Sequence, residues 1–146
     1  RHLDDDGFHR DMGAFFGSVC GTLNHILVAD LIWLSRFTGE GEAPDALDIV
    51  LYESLEELRD ARMKEDERIV AFIERLDNAE IAANFRYRGV TKTIVVEQPL
   101  GSALAHFFNH QTHHRGQVHC LLSQLGQDPP PLDLIYFQRD SGMGMG

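Results

Sequence analysis

Leu104-Ala105-His106-Phe107-Phe108-Asn109-His110-Gln111-Thr112-His113-His114-Arg115-Gly116-Gln117-Val118-His119 holds five of the chain's eight histidines, and its apolar residues recur at helical rather than strand spacing. A helix turns about 100° per residue, so positions four apart lie nearly in line, one turn above the other. His106, His110 and His114 therefore share a stripe that Gln117 and Leu121 continue, whereas His113 is rotated off it and His119 points to another side. Two imidazoles one turn apart can hold one divalent metal, because their ring nitrogens converge while the backbone stays regular helix. His106 and His114 are too distant to share an ion, since eight residues of helix rise about 12 Å. The pair is either His106 with His110 or His110 with His114. Two ligands make a weak site, and His25, the only histidine in another apolar helical segment, is the candidate for a third.

Outward from this stretch, the histidine helix is predicted over 100–125, with Pro99 suited to its first turn and Gly126 to its end. Before it, Phe85, Tyr87, Val90, Thr91, Thr93, Ile94, Val95 and Val96 are strand-formers around Gly89, which predicts a short hairpin turning near Arg88-Gly89-Val90. After it, Pro129-Pro130-Pro131 breaks the chain, and Leu132-Asp133-Leu134-Ile135-Tyr136-Phe137 is an apolar tail expected to pack on the bundle or on a second subunit. Residues 141–146 read as disordered and 1–13 as a flexible lead-in.

A first helix is predicted over 14–37 from Phe16, Val19, Leu23, Ile26, Trp33 and Phe37, with Asp30 interrupting the apolar stripe. His25 lies beside that stripe, between Gly21 and Ala29, small residues that leave room for a ligand or a close neighbour; Trp33 reads as core. Gly39-Glu40-Gly41-Glu42-Ala43-Pro44 is a turn, and Asp45 or Asp48 can cap a second helix that runs to Leu76. Mixed charges over 59–68 read as the solvated face of that helix.

With 146 residues, 43% hydrophobic and 25% charged, the chain is expected to form one domain, 1–146, around a real core. A formal net charge of -10 and the lack of any Lys/Arg cluster argue against a nucleic-acid partner, because phosphate backbones would be repelled. No apolar run approaches the roughly 18 residues of a membrane span and no signal peptide is visible, so no membrane partner and a cytoplasmic location are expected. Cys20 and Cys120 sit in apolar helical segments and read as free buried thiols. The chain opens on Arg1 rather than Met, so upstream residues are expected to have been removed or left out.

Phe108-Asn109-His110-Gln111-Thr112-His113-His114-Arg115-Gly116-Gln117, preceded by Thr22-Leu23-Asn24-His25-Ile26-Leu27-Val28-Ala29-Asp30-Leu31-Ile32-Trp33, resembles the DinB family of damage-inducible, metal-binding helical-bundle proteins, which is distinct from the translesion polymerase of the same name. The resemblance spans 13–139. It implies an all-α, up-down-down-up four-helix bundle with a short hairpin before the last long helix, and it implies that His25, His110 and His114 bind the metal, leaving His106 beside the site. Only three long helices are predicted here. A fourth is therefore expected to precede Arg1, to be truncated, or to come from a partner; a closed core without a gap would sink that expectation.

Three neutral imidazoles leave a coordination position open, the mark of a catalytic rather than a structural site. Imidazole does not name the metal: zinc and nickel come first, with iron, manganese and copper also in range. No catalytic acid or base stands out. His106, His113, Gln117 and Asn24 are candidates to orient a substrate or steady the ligands, and Arg115 is expected to pair with a carboxylate such as Asp30. The resemblance implies thiol-dependent S-transferases and isomerases, whose metal activates a thiol such as bacillithiol or mycothiol, and also suggests metal-dependent hydrolases. The leading expectation is a metal-dependent enzyme acting on a small molecule by thiol transfer, as a homodimer. The competing one is a non-catalytic stress protein whose metal braces the bundle and whose surface dimerises.

Overall fold

In the computed structural model, which describes residues 3–90 and 93–143, the Ser18 hydroxyl accepts from Gly21 N–H and starts the first long helix. The elements in chain order are α1 (Asp5–His9), α2 (Val19–Thr38), α3 (Leu55–Arg75), α4 (Asn78–Ala82), β1 (Asn84–Arg88), β2 (Val95–Pro99), α5 (Leu100–Gln124) and α6 (Leu134–Asp140). Val19, Cys20 and Leu27 of α2 pack with Leu58 of α3 and with Val118 and Leu121 of α5. At the other end, Leu34 of α2 packs with Ile69 and Phe72 of α3 and with Leu100, Leu104 and Phe107 of α5. The pairing fixes the topology: α3 runs parallel to α2 and α5 antiparallel to both. That is the down-down-up part of the expected bundle, with a long crossover joining the two parallel helices.

The predicted hairpin is present, with Phe85 opposite Gln98 and Tyr87 opposite Val96. Its turn is wider than expected, since Gly89 N–H donates to the Ile94 carbonyl; Thr91 and Lys92 lie outside the described residues. α5 stops as predicted. Gly126 takes φ +74°, and the amides of Gly126 and Gln127 return to the carbonyls of Ser123 and Leu122, a glycine-closed end that satisfies the last turn.

Several boundaries differ from expectation for identifiable reasons. The lead-in is not loose: Asp4 caps α1 through Gly7 N–H, and Phe8 is 3% exposed in the core with Val19, Cys20 and Val118. Arg1 and His2 lie outside the described residues. α2 begins at Val19 rather than at 14, because Ser18 caps there and Ala14 to Gly17 close a tight turn. α3 begins after Ser54, whose hydroxyl accepts from Glu57 N–H, and neither Asp45 nor Asp48 caps it. The segment 39–54 stays irregular, and Asn24 ties its end down at 51–52, as described below. α4 was not expected and rests on a reciprocal cap between Asp77 and Glu80. Ser141 to Met143 close α6 with a turn at Gly142 instead of trailing off, while 144–146 lie outside the described residues. The apolar tail does not fold back on the core, for Leu134 is 67% and Phe137 60% exposed. Cys20 is buried and free, but Cys120 is exposed.

Between α3 and α5 the bundle is open. A recess of about 430 Å³ is floored by Leu23, Ile26 and Leu27 and walled by Leu58 and Arg59 on one side and Gln111 and Arg115 on the other. Among the described residues no fourth long helix fills that corner, so the gap expected from the helix count is present.

Candidate metal centre

α2 and α5 cross where both carry histidines. His25 Nε2 lies 3.1 Å from His110 Nε2 and 3.2 Å from His114 Nε2. His25 is 5% and His114 8% exposed, and His110 is half-buried. The remaining nitrogens decide what these atoms are. His25 Nδ1 is 2.8 Å from the Leu47 carbonyl oxygen, which can only accept, so Nδ1 carries the proton. His114 Nδ1 is 2.7 Å from Gln117 Oε1, and the same logic applies. With neutral rings, both Nε2 atoms then present lone pairs to one point, at a separation that would otherwise set acceptor against acceptor. A shared cation satisfies them, so the donor set fits a divalent metal of the imidazole-binding kind. Burial holds the His25 pKa below the ordinary histidine value, and burial with the neighbouring His114 and His25 rings lowers that of His110 to about 4. Both rings are neutral at neutral pH, the state in which a metal could use them.

The chain builds this geometry with two residues that no histidine spacing marks. The Phe16 ring stacks on His25, centroids 3.8 Å apart and planes 16° from parallel, and its edge faces His114. Gly21 allows that placement, since a Cβ there would come within 2.1 Å of the Phe16 carbonyl oxygen. Leu47 supplies its carbonyl because the crossover is tied down nearby. Asn24, fully buried, donates to the carbonyls of Cys20 and Tyr52 and accepts from the amides of Leu51 and Tyr52. Asn24 thus holds the loop, one step removed from the histidines.

The other candidates fall into place by direction. Gln117 steadies His114; His106 is exposed, its ring 5.8 Å from that of His110 and 5.2 Å from that of Trp33; His113 is exposed beside His114. Trp33 is half-buried against that wall rather than sealed in the core. The expected pair between Arg115 and Asp30 is not formed. Asp30 accepts from Arg62 Nη1 at 2.5 Å and Gln111 Nε2 at 3.0 Å, while Arg115 reaches only the Thr112 hydroxyl. Arg62 wins because α3 faces the buried side of α2 where Asp30 points. Burial raises the Asp30 pKa to about 6, against the pull of Arg62 and Gln111.

A second group, His9, Cys20 and Glu53, is also close-set. Both ring nitrogens of His9, however, face backbone carbonyls, those of Asp5 and Glu53, at 2.9 Å, which calls for two N–H donors and leaves no lone pair for a metal.

The comparisons agree with the geometry. The DinB family model matches residues 1–142. The chain belongs to the DinB family. It is 28% identical over 142 residues to protein DinB of Bacillus subtilis strain 168, across 91% of this chain and 79% of that protein. Its fold matches the crystal structure of a DinB-like protein from Bacillus cereus ATCC 10987 with a TM-score of 0.67, at 22% identity, across 89% of this chain and 83% of that one. As a DinB-family chain it carries a buried three-histidine group able to hold a metal ion. No helix among its described residues is long and apolar enough to cross a membrane.

Proposed function

We propose that this DinB-family chain is a metal-dependent enzyme that acts on a small molecule, by thiol transfer, at His25, His110 and His114. The observation that carries this reading is the open ligand set: three Nε2 atoms converge, and no fourth histidine, cysteine or carboxylate joins their group among the described residues. A structural site closes its fourth position with protein; a catalytic one leaves it for water or substrate. A divalent ion bound there, zinc or nickel first, would supply a Lewis acid that makes a thiol ionise at neutral pH. The protein's own part in this reading follows from the contacts around the rings. Leu47 and Gln117 fix the ring tautomers, Phe16 stacks on His25, and His110 is the least buried of the three. Donors held this way meet the reacting group without rearranging. A second copy of the chain is the partner proposed for the apolar side chains of α6, which the bundle leaves exposed.

Elemental analysis of protein purified without a histidine tag or a nickel column tests the centre. About one metal per chain is expected, and its loss in His25→Ala. Metal content indifferent to that substitution would overturn the assignment. If the loaded protein turns over ester or amide substrates and gains nothing from added thiol, hydrolysis replaces thiol transfer.

A further inference from the structure

Eleven residues after His25 on α2 comes Arg36. Eleven residues are three turns plus about 20°, so Arg36 stands almost in line with His25, about 16 Å further along the helix. Its guanidinium lies 4.6 Å from the ring centre of Trp33 and 4.8 Å from that of Tyr87. Those faces hold the planar fork in place, yet no hydrogen bond or ion pair to a described residue satisfies its N–H groups. In a chain with 23 acidic against 13 basic side chains, this half-buried arginine pairs with no carboxylate among the described residues, and its N–H groups remain open to solvent or a ligand. Asp45 and Arg88 line the same recess, about 270 Å³ in volume.

The crossover and a line of ring contacts connect the recess with the histidine centre. Asp45 is two residues before Leu47, whose carbonyl fixes His25, so a single segment borders both. Between them runs an aromatic wall: Tyr87 is 5.0 Å from Trp33, Trp33 5.2 Å from His106, and His106 5.8 Å from His110. Because α5 runs antiparallel to α2, His106 lies on the Arg36 side of His110. Such a wall suits the body of an elongated molecule, and a fixed guanidinium suits a carboxylate, which it can grip with two parallel N–H donors.

We infer that the substrate of the metal centre is an extended carboxylate, its reacting group at the three histidines and its carboxylate on Arg36, with its body along Trp33 and His106. This rests on the thiol-and-metal reading above and adds the length and charge of the molecule. Arg36 is a specificity-determining residue that touches the far end of the substrate.

The test uses cobalt-loaded protein and three thiols: mercaptoundecanoate, which is long enough for the span, the neutral mercaptoundecanol, and the short mercaptopropionate. The thiolate-to-cobalt absorption band reports a thiol at the centre whatever its tail. In the wild-type protein the long carboxylate is expected to bind at least about tenfold tighter than the long alcohol and the short acid. In Arg36→Met that preference is expected to vanish while cobalt content stays at the wild-type level. Equal affinities in the wild-type protein, with the band present, would overturn the inference without needing the variant. So would an Arg36→Met protein with a lower melting temperature and an intact preference, for Arg36 would then only staple the hairpin to α2. Absence of the band with all three thiols would overturn the thiol reading, and the inference with it.

Discussion

The Leu47 carbonyl oxygen settles which nitrogen of His25 faces the centre, and the Gln117 amide oxygen does the same for His114. Removing such an acceptor leaves the ligand present and poorly oriented, which typically lowers metal affinity 10- to 100-fold, on the order reported for outer contacts of metal ligands. Gln117→Ala is therefore expected to weaken metal binding by about that factor in a competition titration with a chelator, while one ion still binds at saturation. His119→Ala, on another side of α5, is the control expected to leave affinity unchanged; equal affinities in all three proteins would refute the role of Gln117. The stripe of His106, His110 and His114 was legible because helix geometry alone aligns them, whereas the choice of His110 with His114 came only from the family resemblance. Leu47 was not legible, since a backbone carbonyl carries no mark in the side-chain alphabet. Phe16 was misread as helix stripe because it falls at apolar spacing with Val19. The signal that separates it is Ser18, a capping residue placed between the two.

Helix ends show the same limit at the scale of elements. Asp45, Asp48 and Ser54 are all competent caps, and Ser54 is the one used, just after the amides at 51–52 that Asn24 holds. The pattern Ser54-Leu55-Glu56-Glu57 did hold the hint, a serine followed three residues later by glutamate. α1 was missed because a five-residue helix has no period to read; it is held by one cap, by Phe8 in the core and by His9 reaching the Glu53 carbonyl. α6 was legible as apolar and illegible as a helix. Exposed Leu134 and Phe137 on so short an element are covered, in the proposed arrangement, by a second copy. Light scattering should then report twice the 16.5 kDa of one chain, and Leu134→Asp with Phe137→Asp should reduce it to one. A wild-type protein already at 16.5 kDa would remove α6 from any self-association.

For the molecule as a whole, two buried sets of titrating groups pull stability in opposite directions with pH. His25 and His110 have folded pKa values below the ordinary 6.5, that of His110 about 4. In the metal-free protein the unfolded chain binds protons there that the folded one refuses, so their contribution is lost as pH falls from 6.5 towards 4. Asp30 works the other way: its folded pKa is raised from 3.8 to about 6, so the folded state holds the extra proton and gains stability as pH falls across that interval. The expected outcome is a melting temperature that declines on acidification, and declines more steeply in Asp30→Asn, where the opposing contribution is gone. Parallel profiles for the two proteins between pH 6 and 4 would show that Asp30 carries no such shift. Asp30 was visible in the sequence as the one interruption of an apolar stripe, but its partner was not, because helix periodicity says which way a side chain points and nothing about which helix stands opposite.

The centre also has a meaning in the connectivity of the chain. His25 and His110 are 85 residues apart and His25 and His114 are 89 apart, so an ion held between them closes the chain into a ring. The crossover, α3, α4 and the hairpin lie inside that ring, while α1 and α6 are outside it. Joining distant positions removes conformational freedom from the open chain, and the entropy cost of closure grows only slowly with ring length, so a single ion binds a long stretch about as readily as a short one. A protease cut in the crossover or the hairpin turn would then leave two fragments held by the packing of α2 on α3 and α5 and, in addition, by the ion, so a chelator is expected to lower the temperature at which they separate.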